Sequence, residues 1–264
     1  MQIHPTAIVH PEAQLADDVE VQAFSIIEAG VTIGAGTVIG PHCVIGAGTV
    51  MGKNNRTYSG AQVGVTPQDL KHLHGKQGQT ILGDNNVIRE FVTISSSTRY
   101  SDRPEEDAKA TRIGSHCLFM STCHVGHDCV LGDHVIMANG SPLAGHVTIH
   151  DRAFIGGLTG IHQFCVIGTM AFIGGMARIN KDVLPYMLCE GHPGRCHGPN
   201  TIGLERNGLS ADQIKSIRSM YKLLYRSELN TSQAVTRIET EVEDSVEKTT
   251  ILNFIAGSKR GLLG

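Results

Sequence analysis

The 264-residue sequence has no tryptophan and few other aromatic residues. An aliphatic-rich composition of this kind favours a core built by repetition over one packed around large rings. Charge of either sign is also lacking: 22 Lys and Arg stand against 25 Asp and Glu, a net charge of −3. The chain therefore has no global field for nucleic acid or an anionic membrane, and a charged partner must be met by a local patch. No run approaches the roughly 18 uncharged apolar residues of a membrane-spanning helix. Because a periodic pattern already runs at Ile3, there is no room before it for a charged and then apolar leader. These features lead us to expect a soluble, cytoplasmic protein without stable membrane insertion. The seven cysteines are odd in number and form no CxxC pair, which argues against a disulfide framework or a standard zinc module.

Glycine is abundant, with 31 residues and no collagen-like period of three, so the chain must turn sharply and often. Aliphatic side chains recur every six residues at Ile3, Val9, Leu15, Val21, Ile27, Ile33, Ile39, Ile45 and Met51. The register skips Thr57, returns at Val63, runs through Leu82, Ile88 and Ile94, and continues from Ile113 to Ile179. Six fits neither the helical period of 3.6 nor the strand period of 2, but it fits short strands joined by tight turns, three to a coil of 18 residues. The periodic aliphatics should point inward, with the glycine that often follows relieving crowding at the bend. Cys43, Cys117, Cys123, Cys129 and Cys165 each lie four places after a periodic aliphatic, a slot that also takes Thr37 and Thr49. They are read as small packing groups.

The pattern predicts a mainly β chain: a parallel β-helix of hexapeptide repeats over 1–190, then a small α-helical C-terminal domain over 191–264. Loop excursions should break the coils near 65–80 and 95–111. The second carries Ser95-Ser96-Ser97 and the acidic run Glu105-Glu106-Asp107, and reads as a solvated excursion. Gly191 to Pro199 reads as a linker. A helix should begin at Ser210, with a capping box to Gln213 and Ile214, Ile217, Tyr221 and Leu224 on one face. Flat lateral faces make self-association the ordinary expectation, and threefold packing would suit a triangular prism.

Of fourteen histidines, four can be placed together by counting in coils. His146 lies one coil and one residue beyond His127, and His162 two coils and two residues beyond His124. All four belong near one corner, within about 10 Å at the strand spacing, whereas His116 and His134 share another corner. Three uses stay open for the first cluster. A neutral imidazole oriented by a neighbour such as Asp128 is a general base near pH 7, with the other rings holding hydroxyls or phosphates and Gly145 offering an unscreened N–H to an oxyanion. Histidines on stacked coils can also ligate zinc. The third use is a hydrogen-bonded row of surface histidines.

The runs His124-Val-Gly-His127-Asp128-Cys129, Leu143-Ala-Gly145-His146 and Ile161-His162-Gln163-Phe164 resemble the bacterial UDP-N-acetylglucosamine O-acyltransferases of lipid A synthesis. The resemblance extends through Pro67-Gln68-Asp69-Leu70-Lys71, Ile88-Arg89-Glu90, Asp182 to Tyr186, Gly203 to Arg206 and Lys222 to Ser227. It implies a left-handed β-helix, a homotrimer with active sites between subunits, and transfer of an (R)-3-hydroxyacyl group from acyl carrier protein to the 3-hydroxyl of UDP-N-acetylglucosamine. It also implies that His127 is the base, Asp128 its support and Gly145 the oxyanion donor, with no metal and no cofactor. Gln68, Asp69, Lys71, His124, His146, His162 and Gln163 would hold the sugar, its phosphates or the acyl arm, and Asn200 and Arg206 the nucleotide. Gly175, with Met176 beside it, falls where the family limits acyl length. Arg178 and Lys181 are candidates for meeting an acidic carrier. Two departures stand out: Ser95-Ser96-Ser97-Thr98 replaces the His-Arg-Gly-Thr of many members, and Asn207 replaces a frequent second arginine.

Overall fold

Each periodic aliphatic lands on a short strand, and residues 18 apart become neighbours in a parallel ladder, with Ile3 on Val21, Val21 on Ile39 and Ile27 on Ile45. The computed structural model describes residues 1–72, 78–99 and 110–264. Among these, the strands form three sheets of eleven, nine and eight members, and every third strand of the coil joins the same sheet. The result is a left-handed, three-sided parallel β-helix. Its axis is filled by Ile27, Ile33, Ile39, Ile45, Ile88, Ile94, Ile149 and Ile155, all essentially inaccessible to solvent. Each such side chain contributes about 2 kcal/mol of burial.

Most glycines of the repeat supply clearance and not a left-handed turn. A Cβ on Gly34 would sit 2.7 Å from the backbone of Gly52 in the next coil. The positive-φ turn positions are filled mainly by other residues, His42, Asn54 and Phe91 among them. Thr57, where the register skips, still points inward at 2% exposure, and its hydroxyl accepts the Gly40 N–H at 3.0 Å. The five cysteines are buried in the corner slot, and burial pushes the Cys117 and Cys129 thiols up to about 12. They are packing groups with little thiolate character.

Two coils are longer than the rest. Met51 pairs with Leu82 and Leu82 with Ile113, a step of 31 residues in place of 18. The surplus leaves after Val65 and after Ser95. Residues 73–77 of the first excursion and 100–109 of the second, the acidic run at 105–107 included, fall outside the described residues. The start of the second excursion is not solvated: Ser95, Ser96 and Ser97 are buried, and the chain reaches the surface only at Arg99.

Where the sequence reads as a linker, the chain instead forms an antiparallel hairpin. Met187–Glu190 pairs with Arg195–Pro199 and extends the eleven-stranded sheet. Cys189 faces Cys196 across this hairpin, so each fills the space under the other. Four helices follow among the described residues: α1 (Thr201–Arg206), α2 (Ala211–Tyr225), α3 (Thr231–Glu241) and α4 (Val246–Gly257). Ser210 and Gln213 make the expected capping box, and Asn230 with Gln233 makes another. Ile214, Ile217, Met220 and Tyr221 are the buried face of α2, while Leu224 is only partly covered. Asp182, fully buried, ties the last coil to the chain's tail by accepting the Val166 N–H at 2.8 Å and the Ser258 hydroxyl at 2.7 Å. No helix among the described residues is long and apolar enough to cross a membrane.

Candidate active site

The corner following the strand His124–Val125 stacks three turns directly over one another, and the backbone joins them through His146 N–H to His127 C=O at 2.9 Å and Phe164 N–H to Gly145 C=O. Equivalent positions therefore form columns. Asp128, His146 and Phe164 share the left-handed turn position, with φ of 59°, 62° and 65°. His127, Gly145 and Gln163 share the position before it. Within the first column, His146 Nε2 lies 3.7 Å from Asp128 Oδ2, and the His146 ring stacks on Phe164 with centroids 4.7 Å apart. The rings of His127 and His146 meet edge to face at 5.1 Å.

His127 Nδ1 and Asp128 Oδ2 are 2.8 Å apart. An ionised carboxylate only accepts, so Nδ1 carries the proton and Nε2 keeps its lone pair. The Nε2 edge lies against Gly145: a Cβ there would be 2.5 Å from both Cε1 and Nε2. Glycine is thus required at 145 because the imidazole occupies the side chain's place. Among the described residues, the Gly145 N–H makes no hydrogen bond.

Asp128 is only 6% exposed, whereas His127 is 18% exposed and reachable from outside. Ser97 Oγ donates to Asp128 Oδ1 at 2.5 Å, Thr98 Oγ1 to Oδ2 at 2.7 Å, and the Asp128 N–H bonds Thr111 Oγ1 at 2.9 Å. Burial raises the Asp128 carboxyl, but the bonds from Ser97, Thr98 and His127 and the field of His146 outweigh it and hold the group below its ordinary value. Burial lowers His124, with like charge on His127 adding to the effect, and its Nδ1 lies 2.7 Å from the Thr93 hydroxyl. Burial also lowers His146, with Asp128 opposing. The rings around His127 are therefore kept neutral near pH 7.

A cleft of about 510 Å³ opens over this corner. It gathers Gln68, His124, His127, Gly145 and His162 from the sequence-derived set, over an aliphatic floor of Leu143, Ile161 and Ile179. Arg178 also lines it, placing that cation at the cleft instead of on a distant surface. His162 is exposed, with Nδ1 3.2 Å from the Gln163 carbonyl. Asp69 sits close enough for its charge to act on His146, and its Oδ1 accepts the Lys71 N–H at 2.9 Å. Neither Asp69, Lys71 nor Gln163 lines the cleft itself.

Other candidates lie apart from the cleft lining. Asn200 caps α1, accepting from Gly203 N–H at 3.2 Å and donating to the Met170 carbonyl at 3.1 Å, and Arg206 is in the helix's last turn. Asn207 accepts from Arg152 at 3.2 Å. Gly175 is on another corner, where a Cβ would lie 3.3 Å from the Gly157 carbonyl, and the neighbouring Met176 is 72% exposed. The sequence reading missed Ser97, Thr98, Thr93 and Thr111. Ser97, Thr98 and Thr93 stand 30 or 31 residues before the residue they support, a relation that the long coil hides from an 18-residue count, whereas Thr111 stands only 17 before Asp128 and was within reach of that count.

His127, Asp128 and His146 also offer three ligand atoms within 4.8 Å of one another, the described residues with the spacing to hold a metal ion. Asp128 Oδ2 is already shared between Thr98 and His127, so a metal there would have to displace hydrogen bonds that the coil supplies.

The fold and corner first define a class. The family described as bacterial transferase hexapeptide (six repeats) matches residues 110–141, and that described as UDP N-acetylglucosamine O-acyltransferase, domain 2, matches residues 182–263. Two curated relatives bear the name acyl-[acyl-carrier-protein]–UDP-N-acetylglucosamine O-acyltransferase. The protein of Syntrophobacter fumaroxidans is 45% identical with all of both chains covered, and that of Herminiimonas arsenicoxydans is 45% identical over 99% of this chain and 98% of its own. The solved structure of LpxA from Acinetobacter baumannii superposes with a TM-score of 0.92 at 40% identity, covering all of both chains. The chain belongs to the acyl-[acyl-carrier-protein]–UDP-N-acetylglucosamine O-acyltransferase family.

Proposed function

We propose that this chain transfers an (R)-3-hydroxyacyl group from acyl carrier protein to the 3-hydroxyl of UDP-N-acetylglucosamine, the first step of lipid A biosynthesis. The observation that carries the reading is the His127–Asp128 pair, with Nε2 free and set against Gly145 at the floor of an open cleft. His127 Nε2 takes the proton from the sugar hydroxyl as its oxygen attacks the thioester carbonyl. The Gly145 N–H faces the charge that develops on the carbonyl oxygen. When the intermediate collapses, the C–S bond breaks, the C–O ester remains, and the imidazolium returns its proton to the departing thiolate. Asp128 stabilises the imidazolium between these transfers. No metal or cofactor enters any step.

Gln68, His124 and His162 line the cleft where the acceptor would sit, and Asp69, Lys71, His146 and Gln163 border it. Asn200 and Arg206 lie away from that lining within one chain, which supports a homotrimer in which a neighbouring subunit completes the site. Gly175 leaves room for a long acyl chain, and Met176 beside it is the residue to vary. Arg178 and Lys181 would meet the acidic carrier. All of this chemistry belongs to the cytoplasm. Purified protein given a 3-hydroxyacyl carrier protein and UDP-N-acetylglucosamine should form the ester, detected by mass spectrometry, and light scattering should give about three protomer masses. A folded His127→Ala protein retaining the full rate would overturn the mechanism.

The spacing of His127, Asp128 and His146 favours one second reading, a zinc-dependent hydratase on the same scaffold. Stoichiometric zinc that is required for activity would establish it, and acyl transfer by metal-stripped protein would dismiss it.

A further inference from the structure

Ser97 lies outside every role assigned above, in a stretch that reads as a solvated loop. Yet it is fully buried, and its Oγ is the partner of Asp128 Oδ1. The direction of that bond is fixed. Ser97 Oγ already accepts the Arg99 N–H at 3.0 Å, and its single proton is left for a carboxylate that can only accept. The second carboxylate oxygen is held by Thr98 and His127. Ser97 thus anchors one end of the carboxylate while the other faces the imidazole.

We propose that Ser97 is a positioning residue for the His127–Asp128 pair, which fixes the carboxylate plane against Nδ1 and tempers how strongly the carboxylate draws a proton onto the imidazole. The proposal rests on the acyl-transfer reading for its rate effects but not for its effect on His127. A hydrogen bond donated to Asp128 withdraws negative charge that would otherwise favour the imidazolium. Removing it leaves Oδ1 buried and unpaired and makes Asp128 the stronger acceptor, which favours the imidazolium. If Ser97 merely filled space, its loss would leave the protonation of the imidazole alone, and Thr98 and His127 still hold Oδ2 in place when the Ser97 hydroxyl is gone. The other ionisable groups facing this pair are His146 and His124, with Asp69 and Arg99 acting on His146; of these only Arg99 touches Ser97, through its backbone N–H, and Ser97→Thr keeps that acceptor.

The test compares Ser97→Ala and Ser97→Thr with the unmodified protein. Carbethoxylation of His127, followed by mass spectrometry across pH in the absence of substrates, reads its pKa directly, and steady-state assays give kcat and KM for both substrates. In Ser97→Ala the His127 titration and the acid limb of kcat/KM should move up by about half a pH unit, with kcat lower by about tenfold and both KM values nearly unchanged. Ser97→Thr, which keeps the hydroxyl, should restore both. An unchanged or lowered His127 titration in Ser97→Ala, or a change confined to KM, would overturn the proposal. If the unmodified protein transfers no acyl group, the functional reading falls, while the carbethoxylation profile still decides the role of Ser97.

Discussion

Two corners of the same prism each pair a histidine with an adjacent aspartate, in opposite order. At one, His127 precedes Asp128; at the other, Asp133 precedes His134. The order decides what each can do, because the two positions of the turn have different surroundings. In Asp133-His134 the carboxylate occupies the first position and accepts the Ser115 N–H of the coil before at 2.7 Å, just as Asp151 accepts the Asp133 N–H at 2.9 Å. Its histidine falls into the left-handed column and stacks on His116, centroids 4.8 Å apart and planes within 8°. That corner is a ladder of caps and rings. In His127-Asp128 the imidazole takes the first position, over Gly145, and the carboxylate turns inward to be gripped by a long coil. On the proposed function, identical residue types serve as a base with its support in one place and as structural trim in the other.

The comparison breaks most sharply at His127. His127→Ala should lower kcat by about 10²- to 10⁴-fold in the acyl-transfer assay. Gly145→Ala comes next: the added methyl must push the imidazole aside, and a displacement of about 1 Å costs on the order of 100-fold in kcat, with the thermal transition little changed. Acidification should separate the corners by stability. His124 and His146 are held below their ordinary values, so their contribution is complete above pH 6.5 and is lost as pH falls below it. Asp128, held below its own ordinary value, contributes above pH 3.8 and loses that contribution as pH falls further. The melting temperature should therefore decline below pH 6.5, and a His124→Gln, His146→Gln double variant should flatten the first part of the decline. The smallest effect belongs to His134→Ala, expected to leave kcat within about twofold and to cost no more than about 0.5 kcal/mol in denaturant unfolding, as for an exposed residue outside the cleft.

The coil was legible because the six-residue period is enforced at every turn by the same packing demand, an aliphatic at the axis and clearance at the bend. Counting in eighteens brought His127 and His146 together, since no insertion separates them. The same count fails across Val65 and Ser95, where the coil lengthens to 31 residues, so the grip of Ser97 and Thr98 on Asp128 could not be counted out. The hairpin after Tyr186 was hidden for a different reason. Gly191, Pro193 and Gly194 are turn residues in a linker and in a hairpin alike, and only pairing with the edge of the finished sheet selects strand. At Asn200 the motif gave no sign of the structural duty its side chain performs, capping α1 and bonding the Met170 carbonyl.

A stack of coils has no natural length, because each finished coil presents the next with a full row of backbone donors and acceptors. The Asp182 clasp is a stop signal for that self-templating. Asp182 and the tail exchange backbone bonds, with Asp182 N–H donating to Gly261 C=O at 3.0 Å and Leu263 N–H to Asp182 C=O at 2.8 Å, while the carboxylate takes the Val166 N–H that a further coil would have taken. The protein reads its own last rung as already occupied. One buried acid thereby closes that edge of the eight-stranded sheet to a foreign strand.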